Sequence, residues 1–262
     1  MNLRSALITL HAAALRVLPR YVLLWLEEAY FIRKGEAELH LIECLCRPNQ
    51  DAIDVGANVG CYSLFMRKYV KRVYAFEPIP WMADKLVRKF GESVTVRQVA
   101  LSSSTGTAQL HIPSVSGRPI TSRSTLSRMS DAAGADIAVR TARLDDFYNG
   151  QVGFIKIDVE GHEGAVLDGA WGTITRCRPR VLVEIEERTA PGGRDRIAAL
   201  FGTLSYSAFF FRDGRVQSIA NFDPSMQNPL QLLMGQYTNN FLFIPHEDVA
   251  ALLNDLARLG YT

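Results

Sequence analysis

Residues that could bind a ligand lie where an apolar strand turns into a helix. The segment Asp54-Val-Gly-Ala-Asn-Val-Gly60 begins at the end of the apolar run 52–55 and precedes a helical stretch. Glycines in such a turn tolerate positive φ and let backbone amides approach a ligand closely. A dinucleotide fingerprint needs glycine at 56, 58 and 61, but the chain has Gly56, Asn58 and Cys61 there. The turn therefore suits a ligand that has no diphosphate.

An acidic residue at the end of the following strand supports a nucleoside as that ligand. Glu77 follows the strand-like run Arg72–Phe76 and lies about 20 residues beyond Asp54. At this spacing a carboxylate can accept hydrogen bonds from both ribose hydroxyls. The alternative is a purely structural turn with an unrelated surface glutamate. The expected nucleoside-binding residues are Asp54, Gly56, Asn58, Gly60 and Glu77.

A second group of acidic side chains follows two later strands. Asp158 ends one strand, Glu160 and His162 follow it in a loop, and Glu184 ends the next strand. Carboxyl ends of parallel strands meet at one rim of a sheet, so we expect these groups beside the glycine turn. The alternative is that Glu160-Gly-His-Glu163 only caps the helix that follows.

The elements that must position these residues alternate between strand and helix. This alternation predicts an α/β fold with a mostly parallel sheet and right-handed crossovers. The late runs Ser207–Arg212 and Asn240–Ile244 resemble paired strands, and Asp213-Gly214 is a hairpin signal after the first. The predicted earlier strands are 52–55, 72–76, 94–99, 154–158 and 180–184, and the predicted helices between them are 62–70, 81–90 and 163–171.

The chain is interpreted as one α/β domain over residues 48–262 with a helical N-terminal extension over 1–47. Between about 113 and 138, Ser, Thr, Arg and Gly dominate and the apolar periodicity is lost. We expect an insertion or long loop there. Its arginines, among them Arg118 and Arg123, belong either to a solvated loop or to a lid that holds an anionic or glycan-like acceptor.

Composition excludes several classes of protein. The chain has 262 residues, 48% of them hydrophobic, and a formal net charge of +2. It can therefore bury a large core and is not disordered, and its charge gives no general reason to expect a nucleic-acid partner. The four cysteines show neither a disulfide framework nor a zinc-binding pattern. Reduced thiols in the cytoplasm are the simplest expectation, with no metal ligated by thiolates.

The N-terminal sequence has some features of a signal peptide but lacks others. Arg4 precedes an apolar run, but His11 and Arg16 interrupt it, and the next apolar run carries Glu27 and Glu28. No stretch of about 18 apolar residues is present, so we expect no membrane-spanning helix. An ordinary packing helix is the leading interpretation, and a cleaved signal or a peripheral membrane or partner contact through residues 1–35 are the alternatives.

The motifs together resemble the FkbM-type methyltransferases over roughly Glu36–Pro245. The most specific is Ile155-Lys-Ile-Asp-Val-Glu-Gly-His-Glu163. The resemblance implies a class I, Rossmann-like, S-adenosylmethionine-dependent fold that usually acts on oxygen, and it adds Ala100 and Asp158 to the cofactor-binding residues. Gln98 departs from the asparagine that the family often has there. The other motifs are Glu36-Ala-Glu-Leu, Asp54–Ser63, Tyr74–Pro78, Ala100–Ser102, Leu144–Phe147, Leu182-Val-Glu184 and Asn240–Phe243.

Methyl transfer to a hydroxyl asks for alignment and for a base. The methyl group moves in line from sulfonium to acceptor, so positioning supplies most of the acceleration. The acceptor hydroxyl must also lose its proton to a carboxylate or imidazole. The hypothesis is that Asp158 orients the methionine end or the acceptor and that Glu160 or His162 removes the proton. A rival is that Asp158, Glu160 and Glu184 ligate Mg²⁺ or Ca²⁺.

Three functions stay open at this point. The leading one is O-methylation of a small molecule, sugar or glycan, with no nucleic acid involved. The second is a nicotinamide-dependent oxidoreductase, which the missing glycines disfavour. The third is a cofactor-binding scaffold without turnover.

Overall fold

The computed structural model describes residues 18–116, 118–126, 133–233 and 236–261. In these ranges the strands form an eight-stranded and a four-stranded sheet. The strands are β1 (Asp51–Val55), β2 (Val73–Phe76), β3 (Thr95–Arg97), β4 (Ala100–Leu101), β5 (Gly106–Val115), β6 (Arg118–Pro119), β7 (Gly134–Ala142), β8 (Val152–Ile157), β9 (Arg180–Glu184), β10 (Tyr206–Arg212), β11 (Arg215–Ser218) and β12 (Asn240–Pro245). The α-helices are α1 (Arg20–Lys34), α2 (Ile42–Leu45), α3 (Cys61–Met66), α4 (Pro80–Phe90), α5 (Leu144–Phe147), α6 (Glu163–Cys177), α7 (Gly193–Thr203), α8 (Pro229–Leu233) and α9 (His246–Arg258).

The larger sheet is mostly parallel, as predicted. Its strand order is β11-β10-β12-β9-β8-β1-β2-β3. Strands β3, β2, β1, β8 and β9 run parallel, whereas β12 is antiparallel to both β9 and β10. The direction in which the chain adds strands reverses between β1 and β8. In open α/β sheets, ligands bind outside the carboxyl ends of the strands at such a point.

Alternation along the strands divides the apolar core into two layers. In β1, Ala52 belongs to one layer, and Ile53 and Val55 belong to the other, because successive side chains point to opposite faces of the sheet. Helices α3 and α9 cover the Ala52 face, and α6 and α7 cover the opposite face. Asp54 and Lys156 are register partners in β1 and β8. Both therefore lie on the Ala52 face, where polar groups need partners.

The smaller sheet contains a long hairpin that the sequence analysis did not predict. Strands β5 and β7 are antiparallel, with Gly106 opposite Thr141 and Pro113 opposite Gly134. The prediction of a loop over 113–138 was therefore wrong at both ends of that range, because residues 113–115 belong to β5 and residues 134–138 belong to β7. The strand residues within 113–138 are exposed or half-buried, so few apolar positions mark a strand period in that range. Residues 117 and 127–132 of that stretch lie outside the described residues.

The described part of the N-terminal extension is helical, as predicted. It consists of α1, a 3₁₀ helix over Ala37–Leu41, and α2, while residues 1–17 lie outside the described residues. Leu24, Leu39 and Leu45 pack into the same core layer as Ala52. No helix in the described ranges is long and apolar enough to cross a membrane. The domain boundary after residue 47 remains a prediction.

The carboxyl ends of β1 and β8 come together at Gly56. This residue has φ of 79°, and a Cβ atom built on it would lie 1.9 Å from the backbone oxygen of Asp158. The Asp158 amide donates to the Val55 carbonyl at 3.0 Å, which holds the two chain segments at this distance. Only glycine allows this approach, because any side chain would strike backbone.

We expect Gly56→Ala to lower the free energy of unfolding by about 3 kcal/mol or more, because a backbone clash adds to left-handed strain of about 1–2 kcal/mol. Urea unfolding followed by circular dichroism measures the change. The matched control is Gly202→Ala in α7, where nothing lies within 4 Å of the added methyl group and a gain of about 0.5–1 kcal/mol is expected. Equal effects of the two substitutions would contradict this interpretation.

Candidate active site

A cleft opens at the carboxyl ends of β1, β2 and β8. The space between its lining residues is about 580 Å³, including its open mouth. The predicted site residues that line it are Gly56, Asn58, Glu77, Ala100, Asp158, Glu160 and His162. The cleft therefore brings the two predicted groups together, the nucleoside-binding turn and the acidic loop.

The amides of the glycine turn bind the neighbouring strand. Gly56 and Ala57 both donate to the Phe76 carbonyl, at 2.9 and 3.1 Å, and the Asn58 amide donates to Glu77 Oε2 at 2.8 Å. These three amides therefore bond within the protein, because β2 ends beside the turn. The expected approach of the turn's backbone to the ligand remains a prediction.

Glu77 is a buried carboxyl group aimed along the cleft by two backbone amides. Its side chain accepts from Asn58 at Oε2 and from Ile79 at Oε1, each at 2.8 Å, and the residue is only 4% exposed. Burial raises the pKa of Glu77 to about 7, although both amide hydrogen bonds oppose the rise. Each carboxylate oxygen keeps a further lone pair. Contact of Glu77 with the ribose hydroxyls of a nucleoside remains a prediction.

Asp54 and Gly60 do not line the cleft. Asp54 Oδ2 accepts from the amide and the hydroxyl of Ser63, at 2.9 and 2.6 Å, and so fixes α3 to β1. Burial raises the pKa of Asp54 despite these bonds. At Gly60 a Cβ atom would lie 2.6 Å from Phe90 and 2.7 Å from Leu86. The structure gives both residues a packing role, and their contact with a cofactor remains a prediction.

The loop after β8 presents a carboxyl and an imidazole to the cleft. Burial, and then the nearby Glu184, raise the pKa of Glu160 to about 7. Burial lowers the pKa of His162, so its ring is neutral near pH 7. His162 Nε2 lies 2.9 Å from Ser102 Oγ, which fixes the ring. Glu163 instead accepts a hydrogen bond from the Gly161 amide at 2.8 Å. The alternative of a helix-capping role therefore applies to Glu163 and not to Glu160 and His162, which line the cleft.

A buried lysine lies beside this loop, and the sequence analysis gave it no role. Lys156 is fully buried, and its Nζ donates to Asn240 Oδ1 at 2.7 Å. The same ammonium lies 3.6 Å from Glu184 Oε2 and 4.9 Å from the centre of the Tyr62 ring. A lysine inside an otherwise apolar central strand was the available signal, because a buried ammonium requires partners of opposite charge.

Asp158 and Glu184 are neighbouring carboxyl groups next to that lysine. Burial raises the pKa of both groups, that of Asp158 to about 7, while Lys156 opposes the rise. The ammonium of Lys156 thus favours a negative charge on the pair.

Two further glutamates from the N-terminal extension, the exposed Glu36 and the buried Glu38, join this network. Glu36 accepts from the Tyr62 hydroxyl and from Asn240 Nδ2. Glu38 is 8% exposed, and burial, with Glu36 second, raises its pKa to about 7. The extension thus contributes to the floor beside the cleft. In the described part of the chain no group of three or more His, Cys, Asp or Glu side chains is arranged to hold a metal ion.

The tip of the β5–β7 hairpin forms a wall of the cleft. Thr121 Oγ1 donates to Asn58 Oδ1 at 3.3 Å, which joins the hairpin to the glycine turn. Arg118 and Arg123 on this segment are exposed. The insertion thus lies at the cleft, and its role as a lid that holds the acceptor remains a prediction. The lining residues from the hairpin tip are Thr121, Ser122, Ser124 and Leu126.

The sheet order and the glycine turn at the carboxyl end of β1 are those of a Rossmann-like α/β protein of the class I methyltransferase type. A family model for the FkbM methyltransferase domain matches residues 54–216, which is more than half of the chain. The chain belongs to this family. Membership confirms the family predicted from the motifs and, with it, S-adenosylmethionine as the methyl donor. It also decides between a methyltransferase and the nicotinamide-dependent oxidoreductase in favour of the former.

Individual relatives are more distant. A methyltransferase named sdnD from Sordaria araneosa is 34% identical over 142 residues, which cover 51% of this chain and 53% of that protein. The chain thus spans about half the length of this curated relative. Among solved structures, a methyltransferase FkbM from Methylobacillus flagellatus KT is 15% identical, with 90% of this chain and 58% of the other covered and a TM-score of 0.49.

An O-methyltransferase from Bacillus cereus, solved in complex with SAH, is 12% identical, with coverages of 90% and 96% and a TM-score of 0.44. An rRNA methylase from Streptococcus thermophilus is 10% identical, with coverages of 79% and 91% and a TM-score of 0.43. These structural likenesses carry no argument about the acceptor.

Replacing Lys156 should destabilise the protein in a pH-dependent way. We expect Lys156→Met to lower the free energy of unfolding by about 3–5 kcal/mol near pH 8, because the buried carboxylates lose their counter-charge. The loss should be smaller near pH 6, where Asp158, with its pKa of about 7, takes up a proton instead. Urea unfolding at both pH values measures this.

The matched control for that measurement is Lys68→Met. Lys68 pairs with Glu28 at the surface, where an ion pair contributes about 0–1 kcal/mol. If Lys156→Met costs no more than Lys68→Met, Lys156 does not hold the buried network together.

Proposed function

We propose that this methyltransferase transfers a methyl group to a hydroxyl of a small molecule, sugar or glycan. The observation that carries the proposal is one cleft lined by both Glu77 and the pair Glu160 and His162. One end thus binds a nucleoside, and the other carries groups that can accept a proton. The net charge of +2 supports an acceptor other than nucleic acid.

The cleft fits the methyl donor. Glu77 lies where it can accept hydrogen bonds from the ribose hydroxyls. Apolar residues of the cleft, among them Ile79, Val99 and Ala100, can enclose the adenine. The donor supplies an electrophilic methyl group on a sulfonium sulfur. Asp158, at the end of β8, orients the methionine end or the acceptor, and Lys156 acts as a positioning residue because it balances the charge of Asp158.

The acceptor loses its proton to the loop after β8. Above about pH 7, Glu160 is ionised, since burial raises its pKa to about 7. The pKa of His162 is lowered from its ordinary value, so its ring is neutral over the same range. Both groups can therefore take a proton near neutral pH, and their different pKa values make the pH profile diagnostic. The hairpin tip covers the cleft and keeps water from the acceptor.

Transfer of a radiolabelled methyl group tests the proposal directly. The full chain is incubated with labelled S-adenosylmethionine and fractions of a cell extract, and the labelled product is identified by mass spectrometry. Label on a hydroxyl oxygen of a small molecule, sugar or glycan supports the proposal. Label on nitrogen, carbon or RNA would overturn it. Binding of S-adenosylhomocysteine without any labelled product would favour the cofactor-binding scaffold.

Binding of the thioether product should depend on pH through Glu77. We expect S-adenosylhomocysteine to bind about tenfold more tightly at about pH 8 than at about pH 6, because ribose hydroxyls donate to the ionised carboxylate. Isothermal titration calorimetry measures the affinity. Glu77→Gln should weaken binding about 10- to 100-fold and remove the pH dependence. Asp213→Asn, at an exposed carboxylate, should change neither property; a pH-independent affinity in the unmodified protein would contradict the assignment.

The identity of the base should be visible in the pH–rate profile. If Glu160 removes the proton, kcat rises through about pH 7, the pKa of Glu160, and Glu160→Gln lowers kcat by about 10²–10⁴-fold. If His162 is the base, the rise lies below pH 6.5, and His162→Ala has the larger effect. Turnover at the unmodified rate in both variants, with donor binding intact, would show that neither residue is the base.

A further inference from the structure

Helix α1 turns its acidic groups toward the body of the protein. Glu27 pairs with Lys89, and Glu28 pairs with Lys68. Leu24, only 7% exposed, is the residue of α1 that is buried. This side of the helix is therefore fixed by two ion pairs and by the apolar contacts of Leu24 and Phe31.

The opposite side of α1 presents apolar and aromatic side chains to solvent. Tyr21, Trp25 and Tyr30 are 73%, 65% and 61% exposed, and Leu26 and Ile32 are each 45% exposed. A surface helix normally has the reverse arrangement, with its apolar stripe inward and its charges outward. Contiguous exposed apolar residues of this kind mark an interaction surface. We refer to these five residues as the α1 outer face.

The surroundings of the α1 outer face are basic. Arg33 and Lys34 end the helix and are exposed. The first 26 residues of the chain include arginines at positions 4, 16 and 20 but no Asp or Glu. A partner that covers the face must therefore combine an apolar layer with negative charge.

We propose that the α1 outer face docks on the surface of an anionic lipid bilayer. Trp and Tyr rings prefer the boundary between headgroups and acyl chains, and aliphatic side chains of a helix that lies in this plane enter the acyl region. Basic residues near the helix are attracted to anionic headgroups. The two ion pairs of Glu27 and Glu28 keep the acidic groups of the helix away from the lipid. This proposal does not depend on the methyl acceptor.

Co-sedimentation with vesicles tests the proposal on the full chain. The vesicles contain phosphatidylcholine alone or mixed with phosphatidylglycerol. We expect strong binding to the mixed vesicles, weak binding to phosphatidylcholine, and weaker binding at high salt. The double substitution Tyr21→Ser and Trp25→Ser should lower the partition coefficient by about tenfold or more. The control Leu230→Ser, at an apolar residue of α8 that is 65% exposed, should leave it unchanged.

Three results would overturn the proposal. One is the absence of binding to mixed vesicles, and another is binding that the double substitution does not weaken while its thermal unfolding is unchanged. The third is a different occupant of the face. A dimer in light scattering that the double substitution dissociates would assign the face to a second copy. Protection of α1 from hydrogen exchange that is lost on deleting residues 1–17 would assign it to the chain's own N-terminus.

Discussion

The contact between the backbone at Gly56 and the end of β8 determines the geometry of the whole site. Because Gly56 has no side chain, the turn after β1 can approach the carbonyl of Asp158 without a clash. That approach places the loop with Glu160 and His162 at the same cleft as the turn. The same turn also orients Glu77, because the Asn58 amide donates a hydrogen bond to the Glu77 carboxylate. Without this contact the groups that we propose to bind the nucleoside and to accept the proton would not share one cavity.

Around this contact the protein buries more acidic groups than basic ones. Burial raises the pKa values of Glu38, Glu77, Asp158 and Glu160 to about 7, above the value of about 4 for exposed carboxyl groups. A raised pKa means that the folded state holds protons that the unfolded state has released. These groups therefore stabilise the ligand-free fold most below about pH 4 and lose that contribution as the pH rises through about 7. Such groups, poised near neutral pH, are typical of sites that bind or transfer protons.

Much of this arrangement could be predicted from the sequence, because local signals coincide with the fold. The strand–helix alternation predicted the parallel sheet, and the turn with Glu77 predicted a nucleoside site, since both features are short-range. The carboxyl ends of parallel strands lie at one rim of a sheet, and this rule predicted that Asp158 and Glu184 lie close together. Family motifs gave the methyl donor that these patterns alone left open.

Other features depend on contacts that are distant in sequence. Glu36 and Asn240, which meet beside Lys156, are separated by most of the chain, so no local pattern joins them. The ends of β5 and β7 within 113–138 have few buried apolar positions, so the sequence predicted a loop there. The bonds of the glycine-turn amides to Phe76 depend on how β1 and β2 end together, so no local pattern predicts them.

The central claim is that the cleft binds the donor nucleoside with its ribose on Glu77. A crystal structure of the protein with S-adenosylhomocysteine tests this most directly. We expect electron density for the nucleoside between the glycine turn and the hairpin tip, with both ribose hydroxyls within hydrogen-bond distance of the Glu77 carboxylate. An empty cleft under saturating ligand, or a nucleoside bound with its ribose away from Glu77, would contradict it.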